Sequence, residues 1–596
     1  MSNPILFGLP NSAGAQQFLT VYMDRSGLLD RFGWSELTQA QVREDFKKMI
    51  AKGELLVQPD PKFKVVFVNR STRLSDSAYR IALEPKLQRH VARVEFANLS
   101  PAMVEELQDL NSCEWQVNPV MLSFIKDCEG DAELAALVTK NPQWVQTLVE
   151  ANGHKKVYTP YFVDRVGRKY GEGSLSITNG KLNRSVFDGQ KIPYKVWDDL
   201  PLCSLLGVDV DLDPDAVESR LKDWQELVKS GDSDMTQVRA NLWLWEMLTT
   251  GESGAMGGSD ICCSGPLLGG IAARCKSLMH DTNVFGPDNM DPRRVIASRI
   301  HIPEALKKWE KFLTSRDAAK PIITALFYGQ AARGGAAGMM WDSDDNQPTG
   351  WINGFGLVDE NICLKGRNHW NPDYRSMIDE MGPASFYRSA KDVSESYNNT
   401  FWRSYPEVLQ LRQKLEDAYD FFMANQHGPA PCLGPTITAP NGATYTHCKW
   451  EVDRNGKSWR FRTPPMDGWP YGLDLPLAPM KNVASGHSLF VRVIHFMDAW
   501  FCHEVNREIR RFQKKVFGRV VGFGSVHDYW WVPLWMLPYM HSIVRRVLHR
   551  TANLWPKIID KFLIDNNQEP MRPFTKSEEQ KLHASISRNR AFLSLK

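Results

Sequence analysis

The 596-residue chain has ten cysteines but no CxxC pair, which argues against a disulfide framework, a zinc ribbon or a dithiol redox centre and sets a reducing compartment as the expectation. It also lacks a long apolar run. The most apolar stretch, YWWVPLWMLPYM at 529–540, is too short to span a bilayer and holds two prolines, so no membrane contact is expected. The opening residues MSNPILFGLPNSAG have neither the basic start nor the sustained apolar core of a signal peptide. No excess of one charge exists either: 72 basic against 69 acidic residues leave +3, which excludes a strongly basic nucleic-acid sponge but not a local basic channel. Internal repeats and low-complexity tracts are missing. What is present is ordinary: 43% hydrophobic and 24% charged residues describe a globular chain and exclude a disordered, collagen-like or coiled-coil one. At about 100–200 residues per domain, the length gives roughly three to five domain-sized units.

Periodicity gives a coarse map. Gln39–Ala51 carries helical spacing and Lys64–Val68 reads as a strand, so the first hundred residues look like a small α/β module. Helices are predicted over Met103–Lys126, Met235–Thr249, Pro303–Thr314, Ala318–Tyr328, Glu407–Phe422 and Ser488–Phe517. Gly153–Gly180 mixes short strands and turns. The Pro/Gly-rich span 429–485, with PNG at 440–442 and RNG at 454–456, predicts hairpins and loops. A strand, VVGFGSV at 520–526, follows the last long helix directly.

Two aspartates stand in distinctive contexts. Asp260 ends a glycine-rich approach in GGSDICCSG, and Asp528 follows a strand in GFGSVHDYW. Taken singly, an aspartate at a strand end is more often a cap or turn former. Between them lie Arg316, Lys320, Tyr328 and Gly329, and residues 316, 320, 324 and 327/328 fall near one face of a helix. Taken singly, that face reads as a solvated basic helix end with a core tyrosine. In combination the meaning changes. Two carboxylates can hold two divalent ions, and ions about 3.5–4 Å apart clamp the attacking and leaving oxygens of a phosphoryl displacement. Magnesium suits such a place because it keeps water and phosphate ligands beside one or two carboxylates. An Arg/Lys helix face then binds the triphosphate of an incoming nucleotide, and a nearby aromatic ring stacks on a base or packs on the sugar.

Order and spelling of these motifs resemble the single-subunit RNA polymerases of bacteriophages and mitochondria. LNSCEWQVNPVML (110–122) resembles the helix upstream of the thumb, through Asn111, Trp115 and Asn118. YTPYFVDRVGR (158–168) resembles the DxxGR motif, through Asp164, Gly167 and Arg168. SDICCSG (259–265) resembles motif A, through Asp260, Cys263, Ser264 and Gly265. RDAAKPIITALFYG (316–329) resembles motif B, through Arg316, Lys320, Tyr328 and Gly329, and SVHDYW (525–530) resembles motif C, through His527 and Asp528.

The resemblance implies an α+β, mostly helical, right-hand palm/fingers/thumb polymerase fold with a small N-terminal α/β module. Its units would be 1–100, a short thumb-like region at 101–155, palm at 156–270, fingers and hairpin region at 271–485, and palm continuation at 486–596. It implies DNA-templated RNA synthesis, with Asp260 and Asp528 binding two Mg²⁺ ions. Arg316 and Lys320 would hold the triphosphate, and Lys320 could also protonate the leaving pyrophosphate. Tyr328 would lie near the sugar and the template base. Asp164, Arg168 and Gly329 would face the template and the hybrid, and His527 would brace the turn beside Asp528. His487 is the first choice for a ribose-sensing histidine and His495 the rival. Pro321, directly after Lys320, departs from the family and implies either a later helix start or a kink. The implied partners are a DNA template, an RNA product, ribonucleoside triphosphates and a helper protein that binds single-stranded DNA or loads a promoter. The implied setting is the cytoplasm of a bacterial host, since a phage source fits the missing transit peptide.

Two rivals stand beside this reading. A related DNA polymerase would carry a glutamate five residues after the motif A aspartate, where this chain has Gly265. A decayed, non-enzymatic nucleic-acid binder is opposed by intact Asp260, Lys320 and Asp528. An RNA-primer-synthesising enzyme remains an alternative product class. The acidic stretches VDVDLDPD (208–215) and WDSDDNQ read as surface turns, and Cys262 and Cys263 as packing. Arg507, Arg510, Arg511, Lys514, Lys515 and Arg519 precede motif C on a helix and either line a nucleic-acid channel or form a solvated face. Only 109 residues precede LNSCEWQVN and the thumb-like span is short, so poor opening of linear duplex is expected.

Overall fold

The computed structural model describes short pieces of the first 100 residues, 101–127 apart from 112, parts of 159–193, isolated positions at 215–223, and 235–595 apart from several loops, the longest being 426–433, 448–459, 463–473 and 477–485. The described residues are mostly helical, with small antiparallel sheets. The predicted helix at 39–51 and the RNG turn lie outside the described residues. Of the strand expected over Lys64–Val68, Val66–Phe67 lies among the described residues and pairs with Val57–Gln58.

One helix expected over 103–126 is two, α1 (Pro101–Asn111) and α2 (Pro119–Asp127). Between them β1 (Gln116–Val117) leaves the helical path. Asn118 then caps α2, its Oδ1 accepting from the N–H groups of Val120 and Met121 at 3.0 and 3.1 Å. Strands β2 (Tyr161–Val163) and β3 (Lys169–Gly171), in the stretch expected to mix short strands and turns, pair as a hairpin that turns through Gly167 at φ 86. The strand β4 (Phe187–Asp188) pairs with β1. Asp188 accepts from Asn118 Nδ2 at 2.7 Å and from Arg239 on α3 (Met235–Thr250), which ties three distant segments together.

The largest sheet has the order β6-β7-β5-β8, all antiparallel: β5 (Met256–Ile261), β6 (Gly524–Val526), β7 (Tyr529–Pro533) and β8 (Leu593–Leu595). Glycines make β5 pack closely. A Cβ on Gly257 would strike Leu534 and Leu537, and one on Gly258 would collide with the Tyr529 hydroxyl. After β5 comes α4 (Ser264–Ala273), almost wholly buried, followed by the short α5 (Pro292–Ala297) and by α6 (Arg316–Phe327). The end of α6 lies on α4 because Gly269 leaves no Cβ under the Phe327 ring. The long helices α7 (Pro383–Ser404) and α8 (Pro406–Ala424) follow. In the Pro/Gly-rich region Thr436–Thr438 pairs with Thr444–Thr446 around the PNG turn, as its spelling predicts.

The central element is α9 (His487–Phe517), buried on most sides between α1, α4, α8 and α10 (Leu537–Asp565). Trp555 of α10 sits edge-on to both Phe496 and Trp500 of α9, each with ring centroids 5.8 Å apart. The chain ends through α11 (Lys576–Arg588), opened by a Thr575/Glu578 capping box, into β8. No helix among the described residues is long and apolar enough to cross a membrane.

Candidate active site

Asp260 is the penultimate residue of β5, and Asp528 immediately precedes β7. Tyr529 is the register partner of Asp260, and the Ile261 N–H donates to the Asp528 carbonyl at 3.0 Å. Two residues almost half the chain apart are therefore carried side by side at one end of the sheet. The turn between β6 and β7 consists of His527 and Asp528 alone, since Val526 pairs with Tyr529. His527 takes the left-handed conformation, φ 52, that so tight a turn requires. Its ring lies edge-on to Tyr170 at 4.7 Å. Burial and then the Arg168 guanidinium push His527 down to about 4, so it is neutral at pH 7.

Burial, then Asp498 and then Asp260 push the Asp528 carboxyl up to about 7, and a hydrogen bond from the Ser264 side chain opposes the shift. A carboxyl raised by two neighbouring carboxylates marks a concentration of negative charge that a cation relieves. Asp498 itself is buried on α9, and the Arg168 guanidinium lies 2.9 Å from it. Among the described residues no group of three or more His, Cys, Asp or Glu side chains converges as a cage. Carboxylates such as Asp260 and Asp528 are donors that suit an ion which keeps its water and phosphate ligands, as Mg²⁺ does.

The basic helix connects to this end of the sheet through one carboxylate. Asp291 caps α5, accepting from the Arg293 N–H at 2.9 Å. It also accepts from Arg293 Nε and Arg316 Nε, both at 2.8 Å, and Cys263 Sγ lies 4.0 Å from it. Cys263 is only three residues beyond Asp260, so the Arg316 end of α6 is anchored close to the aspartates. Burial alone would raise the Asp291 carboxyl, but the two guanidiniums hold it below its ordinary value. Burial pushes the Cys263 thiol up to about 12, so it packs and does not act as a nucleophile. Lys320 is exposed on the same side of α6 as Arg316 and Thr324, while Ala319, Ile322, Ile323 and Leu326 face inward. Pro321 lies well inside a helix that starts at Arg316, so the helix does not start late. The ring removes the N–H that would have met the Asp317 carbonyl. Gly265 is buried in the first turn of α4.

His487 and His495 separate clearly. His487 is the first residue of α9, largely exposed and 2.8 Å from Glu416. His495 is half-buried, three residues before Asp498 and so on the same helix face. Tyr328, Gly329 and Asp164 lie outside the described residues.

Behind the His527–Asp528 turn is a buried polar cluster. Glu106 of α1 pairs with Lys169 at 2.6 Å and with His503, and Asn506 joins it to the Ser525 hydroxyl at 2.8 Å. Burial alone would raise Glu106, but Lys169, His503 and Asn506 bring it down to about 2. This cluster locks α1, β3 and α9 to β6. The basic run on α9 is largely neutralised: Arg507 pairs with Glu504, Arg510 with Glu105 and Asp109, Arg511 with Glu508 and Lys514 with Glu105. Two of these four cations pair within α9 and two pair with α1, while Lys515 and Arg519 are exposed.

Sequence reasoning missed Asp498, Asp291, Arg293 and the terminal strand. Asp498 had a signal, a carboxylate inside the apolar run HFMDAWF. Nothing in the sequence tells that β8 pairs with β5, Ser594 opposite Asp260, or that Cys262 N–H donates to the Phe592 carbonyl at 2.9 Å. Compared with known families and curated proteins, the chain matches no family model and no curated sequence.

Proposed function

We propose that this chain is a DNA-templated RNA polymerase of the single-subunit type. The observation that carries the reading is the placement of Asp260, near the end of β5, beside Asp528, in the turn that leads into the adjacent strand β7, with the Asp528 carboxyl raised by burial and then by its acidic neighbours. In this reading the four-stranded sheet is the palm, α6 is the fingers helix, and Asp260 with Asp528 hold two Mg²⁺ ions. Bound magnesium supplies charge neutralisation at the reacting phosphorus and a lowered pKa for the attacking 3′-hydroxyl.

The chain's own residues do the rest. Arg316, its guanidinium aimed by Asp291, binds the triphosphate of the incoming ribonucleotide. Lys320, on the same face, protonates the leaving pyrophosphate. Ser264 orients Asp528, and Arg168 offsets the charge of Asp498 behind it. Gly265 presents no side chain against a 2′-hydroxyl. His495, one turn from Asp498, is better placed than His487 to sense that hydroxyl. Asp164, Arg168, Tyr328 and Gly329 keep the template and nucleotide roles that the resemblance implies.

The test is incorporation of labelled ribonucleotides by the purified chain with Mg²⁺ on single-stranded and double-stranded DNA, each with complementary and non-complementary nucleotide sets. Template-directed RNA is expected, more readily on the single strand. Incorporation of deoxyribonucleotides alone would replace the reading with a DNA polymerase, and no incorporation on any template would end it.

A further inference from the structure

Counted within α9 alone, Glu504 and Glu508 balance Arg507 and Arg511. Counted with α10 they do not. The same two carboxylates also receive Arg546 and Arg550 of α10. Four guanidiniums therefore share two carboxylates, and the carboxylates are the buried members. The Arg511 and Arg546 side chains are 66% and 55% exposed over a nearly covered Glu508. Arg511 reaches that glutamate through Nη1 and Arg546 through Nε, so the other donors of both forks are unused among the described residues. Further along, Lys515 and Arg519 are exposed with no acidic partner among the described residues. No Asp or Glu occurs at 509–527 or at 529–559, so neither helix supplies a carboxylate to this outer face beyond Glu508.

An aromatic platform lies at the same end of these helices. Tyr539, at the start of α10, is 43% exposed. Its ring centroid is 5.0 Å from that of Phe512 and 6.3 Å from that of Trp535. Trp535 is in turn stacked on Phe512 at 6.1 Å and meets Phe517 edge-on at 5.1 Å. Tyr539 is thus the outer ring of a group that fixes it from behind, and a fixed, open ring is a surface on which a base stacks. Lys515 and the exposed Val516 lie one turn from Phe512 on α9. Arg546 follows Tyr539 by seven residues, on the same face of α10 and about 10 Å further along its axis. Free cations and an open ring therefore adjoin on one surface.

We propose that the outer face of α9 and α10 binds a single nucleic-acid strand, with phosphates on Arg511, Lys515, Arg519 and Arg546 and a base stacked on Tyr539. Excess cations select a polyanion. The open ring selects a strand whose bases are free to leave their own stack, which a duplex does not offer and an acidic peptide lacks. Backbone charge and ring stacking read neither sequence nor sugar, so DNA and RNA strands are held alike. Strands β6 and β7 run between this platform and the turn of Asp528, which places the platform at the opposite end of those strands from the aspartates. Binding here needs neither Asp260 nor Asp528 and stands apart from the polymerase reading.

The test is fluorescence anisotropy of a labelled single-stranded DNA with the full chain, without nucleotides, across a salt series. For Lys515→Gln/Arg519→Gln, which breaks no ion pair, the slope of log K against log salt should flatten by about 1.4, at about 0.7 per phosphate contact. Lys515→Arg/Arg519→Lys, which keeps both charges, and Lys581→Gln, on α11, should keep the slope. Tyr539→Leu should weaken binding at least about fivefold, the lower end of what one stacked base contributes. Tyr539→Phe, which keeps the ring, should bind as the wild type does. On an abasic strand of the same length Tyr539→Leu should have no effect. If Tyr539→Leu does not fold, as judged by melting, the charge variants and a weaker hold of the wild type on the abasic strand carry the test. An unchanged slope in the folded charge variants overturns the proposal. So does equal loss from Tyr539→Leu on base-bearing and abasic strands, or displacement by polyglutamate or duplex as effective as by unlabelled strand. A single-stranded RNA of the same sequence should compete as well as the DNA, and failure to do so also counts against it. Loss of these contacts' effects with RNA synthesis intact removes the surface and leaves the polymerase reading; the contacts confirmed in a chain that synthesises no RNA do the reverse.

Discussion

Arg168 and Asp498 form an ion pair, Nη2 to Oδ2 at 2.9 Å, with both side chains largely buried. Asp498 is in turn the strongest charged influence on the raised Asp528 carboxyl. Removing the guanidinium leaves the negative field of Asp498 uncompensated, so Asp528 should become harder to ionise. In Arg168→Ala the acid limb of the pH profile of kcat/KM should move to higher pH, while Arg168→Lys restores most of the original profile. An unmoved acid limb would detach Arg168 from the site.

The buried cluster around Glu106 sets an acid limit on stability. Its carboxyl is held at about 2 in the folded chain against an ordinary value of 4.5. A folded value below the unfolded one contributes stability that is fully present above the unfolded value. That contribution falls away as pH drops through about 2. Glu106→Gln leaves the Lys169 ammonium buried without its counter-charge and should cost about 3–5 kcal/mol. Denaturant melts at pH 7 and pH 3 check this. The difference between wild type and variant should be smaller at pH 3.

The contact between α4 and α6 depends on one missing methyl. A Cβ on Gly269 would lie 2.5 Å from Phe327 Cζ. Gly269→Ala should therefore destabilise by about 1–3 kcal/mol through overpacking. Adding Phe327→Leu should recover part of that loss, so the double variant is more stable than the sum of the two changes. Simple additivity in chemical melts would mean that the two residues do not meet.

The two candidate histidines predict different outcomes. His495→Ala should weaken the preference for ribonucleotides over deoxyribonucleotides several-fold, the worth of one hydrogen bond of about 0.5–1.5 kcal/mol. His487→Ala, which changes an exposed pair with Glu416, should leave sugar choice intact. Competition assays with both sugars check this, and the opposite result would return the role to His487.

Local pattern made some elements legible and left others hidden. The helices Met235–Thr250 and His487–Phe517 match their sequence boundaries to within a residue, because their apolar periodicity runs unbroken. Helix 103–126 fails as one piece because Asn118 bonds Asp188, a partner 70 residues away that no local window contains. The strand expected at 520–526 shrinks to 524–526 because the Gln513 side chain accepts the Val521 N–H at 2.9 Å. In the site, Asp260 and Asp528 were legible through their glycine and strand contexts, whereas Asp291 depends on a capping geometry without a distinctive spelling. The α9 cations looked free because part of their acidic complement, Glu105 and Asp109, belongs to α1.

The most direct measurement is ribonucleotide incorporation on a primed single-stranded DNA by wild type, Asp260→Asn and Asp528→Asn, each verified as folded and still able to bind the DNA. Both variants should lose synthesis by several orders of magnitude while binding the template about as well as the wild type. Near-normal synthesis by either folded variant would contradict the central claim that these two neighbouring carboxylates carry the chemistry.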